Sequence, residues 1–239
     1  MRSEIDHKEI VKTFADKIIR FNKSLEYNGV LPEGISVMNP FSDEVVIKTT
    51  TEFYGKYYSD TNKRKFIVGI NPGRHGAGVT GIPFTDTKRL IGECDISWEG
   101  SVTHEPSSEF IYTLINEFGG TKEFYSLFYI NSICPLGFTK IQDNGNQINY
   151  NYYDSKELLE IFTPFMVDTF RKQLKFGIDN IECLCLGKDK NFRFLNKLND
   201  KYGFFKKIIP IEHPRYIMQY QRKDIKEYIK KYLDALKAK

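Results

Sequence analysis

Lys65-Phe66-Ile67-Val68-Gly69-Ile70-Asn71-Pro72-Gly73 is the stretch on which the fold turns. An apolar run passes straight into Gly-Ile-Asn-Pro-Gly, the pattern of a buried strand stopped by a tight turn. About 60 residues on, Phe128-Tyr129-Ile130-Asn131-Ser132-Ile133-Cys134-Pro135-Leu136 repeats the scheme. A third run, Ile208-Ile209-Pro210-Ile211, ends in Glu212-His213-Pro214. Three strand ends thus deliver Asn71, Asn131 and His213. In an open parallel sheet the carboxyl ends of the strands share one rim, and ligands bind there. Two amides and an imidazole on that rim suit a flat, hydrogen-bonding ring such as a nucleobase.

Outward from these strands, strand alternates with helix, which predicts an α/β layered fold with a mainly parallel sheet. Ile10, Phe14, Ile18, Ile19 and Phe21 have helical spacing and predict an opening helix from Lys8 to about Asn28. A loop with Pro32, Gly34, Pro40 and Ser42 follows, then a short apolar piece, Val45-Val46-Ile47. Residues 71–106 are rich in Gly and Pro and lack periodicity, so they read as mostly loop. A loop of that length inside a compact domain usually serves function. Pro106-Ser107 caps a helix with a stripe of Phe110, Ile111, Leu114, Ile115 and Phe118, closed by Gly119. Lys140–Tyr153 is polar and turn-rich. Asp154 with Glu157 resembles a capping box, opening a helix that Pro164 restarts and that runs to Leu174. Cys183–Gly187 and Ile208–Ile211 are the remaining strands, separated by a short helix near Phe192–Leu198, and Ile225 to Leu236 form a last amphipathic helix. One domain spans 1–239, with a motif-bearing core over about 60–220 and a helical extension over 1–60.

The bulk numbers narrow the class. A chain of 239 residues, 41% hydrophobic and 28% charged, can bury one sizeable core. Its net charge of +4 permits a nucleic-acid partner without demanding one. Basic groups such as Lys63-Arg64-Lys65 and Lys88-Arg89 read as solvated faces. The opening residues lack an apolar signal core, and no run is long enough to span a membrane, so a cytoplasmic protein is expected. Cys183-Leu184-Cys185 lies inside an apolar run and has neither zinc nor iron–sulfur spacing; all four cysteines read as buried, reduced thiols. Gly76-Ala77-Gly78-Val79-Thr80-Gly81 fits a dinucleotide-binding pattern only literally. Five residues separate it from the strand, and no second strand supplies the acidic partner about 20 positions on.

The remaining signals resemble a known family. Gly69-Ile70-Asn71-Pro72-Gly73 followed by Gly81-Ile82-Pro83-Phe84 is similar to the first motif of the single-strand-selective monofunctional uracil-DNA glycosylases. Their pattern is Gly-Met-Asn-Pro-Gly and then Gly-Val-Pro-Phe, and the Asn-to-Phe spacing of thirteen is kept by Asn71 and Phe84. Asn131-Ser132-Ile133-Cys134-Pro135-Leu136 resembles the family's Asn-His-Cys-Pro-Leu run, with one residue more between Asn and Cys. His213-Pro214 resembles the second motif, although Arg215-Tyr216-Ile217-Met218 stands where the family usually has Ser-Pro-Arg-Asn. The resemblance implies a three-layer α/β/α sandwich around a short, mainly parallel sheet, without a cofactor.

It also implies roles. Excision of uracil needs a donor for the charge that grows on the ring's O2, for which His213 is the candidate, aided by the turn at Ile70–Gly73. Asn71, an amide and so no strong base, orients water toward the sugar. Asn131 reads uracil's N3–H and O4, and Phe84 stacks on the extruded base. Gly73 replaces a Tyr of related families, which makes 5-substituted uracils or xanthine plausible substrates. Tyr216, Ile217 and Met218 are candidates for filling the gap in the duplex, with Arg215, Arg222 and Lys223 near phosphates. Asp86 and Glu212 lie near the expected cleft as possible bases. The expected partner is DNA carrying uracil or other damaged bases, bound by a monomer. Two other readings stay open: a non-catalytic nucleic-acid or nucleobase-binding module on the same fold, and a nucleotide-dependent enzyme using the Gly76–Gly81 loop.

Overall fold

A computed structural model describes residues 12–237. From the amino end come α1 (Phe14–Lys23), β1 (Ile35–Met38), α2 (Glu44–Tyr57) and β2 (Arg64–Gly69). Two short helices, α3 (Ala77–Thr80) and α4 (Thr87–Gly92), precede α5 (Pro106–Phe118), α6 (Thr121–Leu127) and β3 (Phe128–Ser132). A hairpin of β4 (Gly137–Ile141) and β5 (Gln147–Tyr150) leads into α7 (Lys156–Leu174), β6 (Ile178–Leu186) and α8 (Lys190–Tyr202). Then follow β7 (Lys207–Ile211), α9 (Pro214–Tyr220) and α10 (Ile225–Lys237).

Four strands form a fully parallel sheet in the order β3-β2-β6-β7. Helices flank it, as the α/β reading requires. Its strands read as near-continuous apolar runs because both faces are covered: Phe66, Ile67 and Val68 of β2 are all buried. The register pairs Gly69 with Ser132, Val68 with Cys185, and Leu186 with Ile211. All four carboxyl ends therefore lie on one rim. The chain leaves β2 for β3 on one side and returns to β6 on the other, so the strand order switches at β2, the usual place for a binding crevice. Pro210, which has no N–H to give a ladder, sits on the edge strand β7.

Several segments differ from expectation. The opening helix begins after a Thr13–Asp16 capping box and ends at Lys23 rather than Asn28, while 8–11 lie outside the described residues. Val45-Val46-Ile47 belongs to α2, which has no strong helical signal. Its β-branched residues are poor helix formers, and burial of Val46, Thr49, Thr50 and Phe53 on one face overrides that preference. Residues 71–106 hold α3 and α4 between loops. α5 is capped at Glu105, before Pro106, and α6 is an element beyond those expected. The polar Lys140–Tyr153 segment contains β5, which pairs with β4, itself antiparallel to β1. Ser155, not Asp154, caps α7, and α7 continues through Pro164 without restarting.

Arg64 is buried rather than part of a solvated basic face. Its guanidinium pairs with Asp60 at 2.9 Å and lies 4.7 Å from the ring centroids of both Phe14 and Tyr58. A buried charge survives only with such partners, and this one ties α1 to the entry of β2. Cys94, Cys134, Cys183 and Cys185 are free and buried. Burial pushes the Cys134 and Cys185 thiols up to about 12, so both stay protonated and inert.

Candidate active site

The rim opens into a cleft of about 240 Å³. Its walls include Ile70, Asn71 and Gly73 after β2, Phe84 from the following loop, and Ser132 at the end of β3. His213 and Arg215 come from the β7–α9 junction, and Glu105 from the start of α5. The turn after β2 is held to the neighbouring strand end, because Ile133 and Cys134 donate their N–H groups to the carbonyls of Gly69 and Ile70.

Asn71 is fixed at both ends of its amide. Nδ2 donates to the carbonyls of Tyr150 (3.2 Å) and Pro72 (3.3 Å), and Oδ1 accepts from the Tyr152 N–H (3.2 Å). Tyr150 and Tyr152 come from the end of β5 and the segment beyond it, so the unforeseen hairpin supplies two of the three bonds that hold the residue. Both amide protons are committed; Oδ1 keeps one lone pair for a water.

His213 caps α9, its Nδ1 accepting the Arg215 N–H at 3.1 Å. Burial, together with the positive charge of Arg215, pushes the imidazole down to about 3. The ring is therefore neutral at ordinary pH. With Nδ1 accepting, its proton sits on Nε2. His213 is a neutral donor, which resolves a point that residue type alone leaves open.

Phe84 has φ +54°, in the left-handed region that bulky residues avoid. Its ring centroid lies 5.7 Å from that of His213, and a Cβ on Gly69 would come within 3.3 Å of the ring. Strain of this kind is held only where the surroundings over-determine it. Here Gly81, at φ +71°, makes the turn; a Cβ there would meet Val46 and Thr50 at 2.7 and 2.8 Å. Thr80 stitches the loop, its hydroxyl donating to the Thr85 carbonyl at 2.6 Å.

Other expected site residues lie elsewhere. Asn131 is buried and does not line the cleft. Its Nδ2 donates to the Tyr129 hydroxyl (2.6 Å), and its Oδ1 accepts the Ser132 N–H (2.8 Å). Alternation along β3 turns Ser132 to the cleft instead, and Ser132 is the residue two before Cys134, the spacing of the family's Asn-His-Cys-Pro-Leu run. Ile217 and Met218 are buried on the inner face of α9, Ile217 packing in the core, so neither is free to enter DNA. Tyr216 is 45% exposed and Tyr220, which the sequence did not single out, 64%. Their rings lie 5.5 Å apart at the cleft mouth. Asp86 is fully committed: its carboxylate accepts from Arg89 N (2.9 Å), Arg89 Nη1 (3.0 Å) and Glu105 N (2.6 Å). Glu212 pairs with Lys188 and Lys231 at 2.8 Å each and faces the adjoining pocket on the far side of His213, its charge met by two lysines. The space beside Gly73 is occupied, since a Cβ there would stand 2.9 Å from Glu105 Oε1 and 3.4 Å from Arg215 Nη2. Glu105 and Tyr153 complete the wall. Sequence gave a weak signal for Glu105, a carboxylate directly before a helix-starting proline, and none for Tyr153.

A parallel sheet carrying an aromatic ring, a neutral imidazole donor and a fixed amide at its switch point defines an α/β domain with a polar ligand cleft at the carboxyl ends of its strands. Residues 56–237 match the family described as the Uracil DNA glycosylase superfamily, and the chain belongs to it. It is also similar to the crystal structure of wild-type SMUG2 from Pedobacter heparinus. Identity is 55% over 94% of this chain and 97% of that one, with a TM-score of 0.92. These similarities bear out the resemblance to the single-strand-selective monofunctional family and the three-layer fold. No curated protein matches the sequence. Among the described residues, no helix is long and apolar enough to cross a membrane.

Proposed function

We propose that this protein is a monofunctional DNA glycosylase that hydrolyses the N-glycosidic bond of uracil in DNA and leaves an abasic site. Superfamily membership supports a uracil-DNA glycosylase type of repair function. The observation that carries the finer reading is the neutral, Nε2-protonated His213 facing the same cleft as Asn71 and Phe84.

The bond breaks with charge accumulating on the departing base. A fixed donor aimed at the growing oxyanion is worth about 3–4 kcal/mol, because it needs no reorganisation as the charge forms. His213 supplies that donor. A neutral imidazole keeps its proton while giving its hydrogen bond, so the base leaves as an anion. Phe84 gives the extruded ring a face to stack on, worth about 1–3 kcal/mol. Ser132, with one donor and two acceptor positions, takes over from Asn131 the task of reading the base edge. Asn71 uses its remaining lone pair to orient water at the sugar. Reaching the cleft requires the nucleotide to leave the stack, at a cost of a few kcal/mol. Tyr216 and Tyr220 are placed at the mouth to stack against the bases left behind. The Glu105–Arg215 pair beside Gly73 favours polar 5-substituents, such as hydroxymethyl, over apolar ones of the same size.

Oligonucleotides carrying one uracil, single-stranded or opposite G or A, followed by hot alkali, test the proposal. Strand scission is expected from the wild type and not from Asn71→Ala or His213→Ala. A wild type that binds these strands without scission, and also spares xanthine, hypoxanthine and hydroxymethyluracil, would instead identify a binding module.

A further inference from the structure

Glu105 is the sole acidic side chain lining the cleft among the described residues, and the bond-breaking step above gives its carboxylate no part. Its side chain is 14% exposed. Its backbone is pinned by the buried Asp86, which accepts the Glu105 N–H. Its carboxylate lies against two glycines: Oε1 beside Gly73, and Oε2 so close to Gly76 that any Cβ there would collide with it. Among the described residues no hydrogen bond reaches the carboxylate, and its charged partner, Arg215 Nη2, stands 3.8 Å from Oε1. An ion pair that long leaves both carboxylate oxygens able to accept from water. A carboxylate that is mostly buried at the cleft wall, with a distant charged partner and no internal hydrogen bond, is set to accept one from a water bound in the cleft.

The other cleft groups cannot take a proton. Asn71 is an amide with its N–H groups committed, and His213 has its Nδ1 engaged by the Arg215 N–H. We propose that Glu105 is the general base of the reaction, holding the attacking water together with Asn71 Oδ1 and accepting its proton. The assignment rests on the glycosylase reading above. In the step, the water oxygen bonds to the anomeric carbon as that carbon's bond to the base nitrogen breaks. The bonding pair leaves with the base, whose oxyanion is met by His213, and the water's proton passes to Glu105. No other reactant is needed.

The groups that face Glu105 set its ionisation. Burial pushes the carboxyl up, the Arg215 charge from α9 pulls it down, and Asp86 at the head of α4 pushes it up again. His75 and His104 border the adjoining pocket. A base shifted toward neutrality is better matched to its task than an ordinary carboxylate.

Single-turnover excision of uracil from a single-stranded oligonucleotide, followed from pH 5 to 9, provides the test. Glu105→Gln, which keeps shape and polarity, is expected to slow the rate by about 10²–10⁴-fold and to abolish the rising acid limb seen in the wild type. Arg215→Ala is expected to move that limb to higher pH, because the carboxyl loses its stabilising positive neighbour; the same change made in Glu105→Gln, where His213 still feels the lost charge, is expected to bring back no limb. A Glu105→Gln variant with the wild-type rate, or one that keeps the wild-type limb, overturns the assignment and leaves the glycosylase reading standing. A wild type without scission defeats the glycosylase reading, and the assignment falls with it.

Discussion

Replacing His213 with Asn separates the proton chemistry of the imidazole from its structural work, since Asn is itself a favoured N-cap and can still accept the Arg215 N–H. In the folded protein the imidazole is held down to about 3, against an ordinary value of 6.5. Between those values the unfolded chain binds a proton that the folded chain refuses. Stability from this group is therefore complete above 6.5 and is lost as pH falls toward 3. At pH 5 the unfolded histidine is protonated and the folded one is not, so the interval from 6.5 down to 5 counts in full. At about 1.4 kcal/mol per pH unit, that is about 2 kcal/mol. Urea unfolding of wild type and His213→Asn at pH 7 and pH 5 measures it, because contributions from Glu105 and the other carboxyls are common to both proteins. The stability of the wild type relative to the variant is expected to fall by about 2 kcal/mol between the two pH values. An unchanged difference would mean that the imidazole ionises as it does in a peptide. His213 would then be a charged donor near pH 5, and the reading that its surroundings hold the ring neutral would be refuted. Imidazole nitrogen chemical shifts in the folded protein, flat from pH 8 to 5, are the independent check.

Other predictions concern single side chains. Asn71→Ala strands the Tyr152 N–H and the Tyr150 carbonyl, so it should cost about 1–3 kcal/mol of stability in urea unfolding as well as abolishing excision. Phe84→Leu should raise KM for uracil-containing single strands about 30-fold, from about 2 kcal/mol at the middle of the stacking range, with little change in Tm because the loop geometry is kept. Tyr220→Ala should weaken binding of single-stranded DNA by about 1–3 kcal/mol in a fluorescence titration while leaving Tm unchanged. Ile217→Ala, fully buried on the same helix, should do the opposite, lowering stability by about 2–5 kcal/mol.

The division between sequence and tertiary structure follows physical range. The parallel sheet was legible because doubly covered strands are continuous apolar runs ended by Gly, Pro and Asn, a local signal that needs no partner to be seen. Asn71 and His213 were legible for the same reason, each standing at such an ending, whereas Phe84 was singled out only by the resemblance of its thirteen-residue spacing from Asn71 to the family's motif. α2 was not, because its β-branched sequence argues against a helix until the burial of Val46, Thr49 and Phe53 is known. The β4–β5 hairpin was hidden by its polar face. Register decided which β3 side chain faces the cleft, since one residue's shift along the strand sends Asn131 into the core and Ser132 to the cleft. The protonation of His213 and the placement of Glu105 depend on burial and on Arg215, which is next but one to the first and 110 residues from the second. Residue types and their spacing determined where the cleft is and what is near it. Only packing decided which atoms face into it and which of them carry a proton, because desolvation and strand register are properties of the folded neighbourhood and not of the chain.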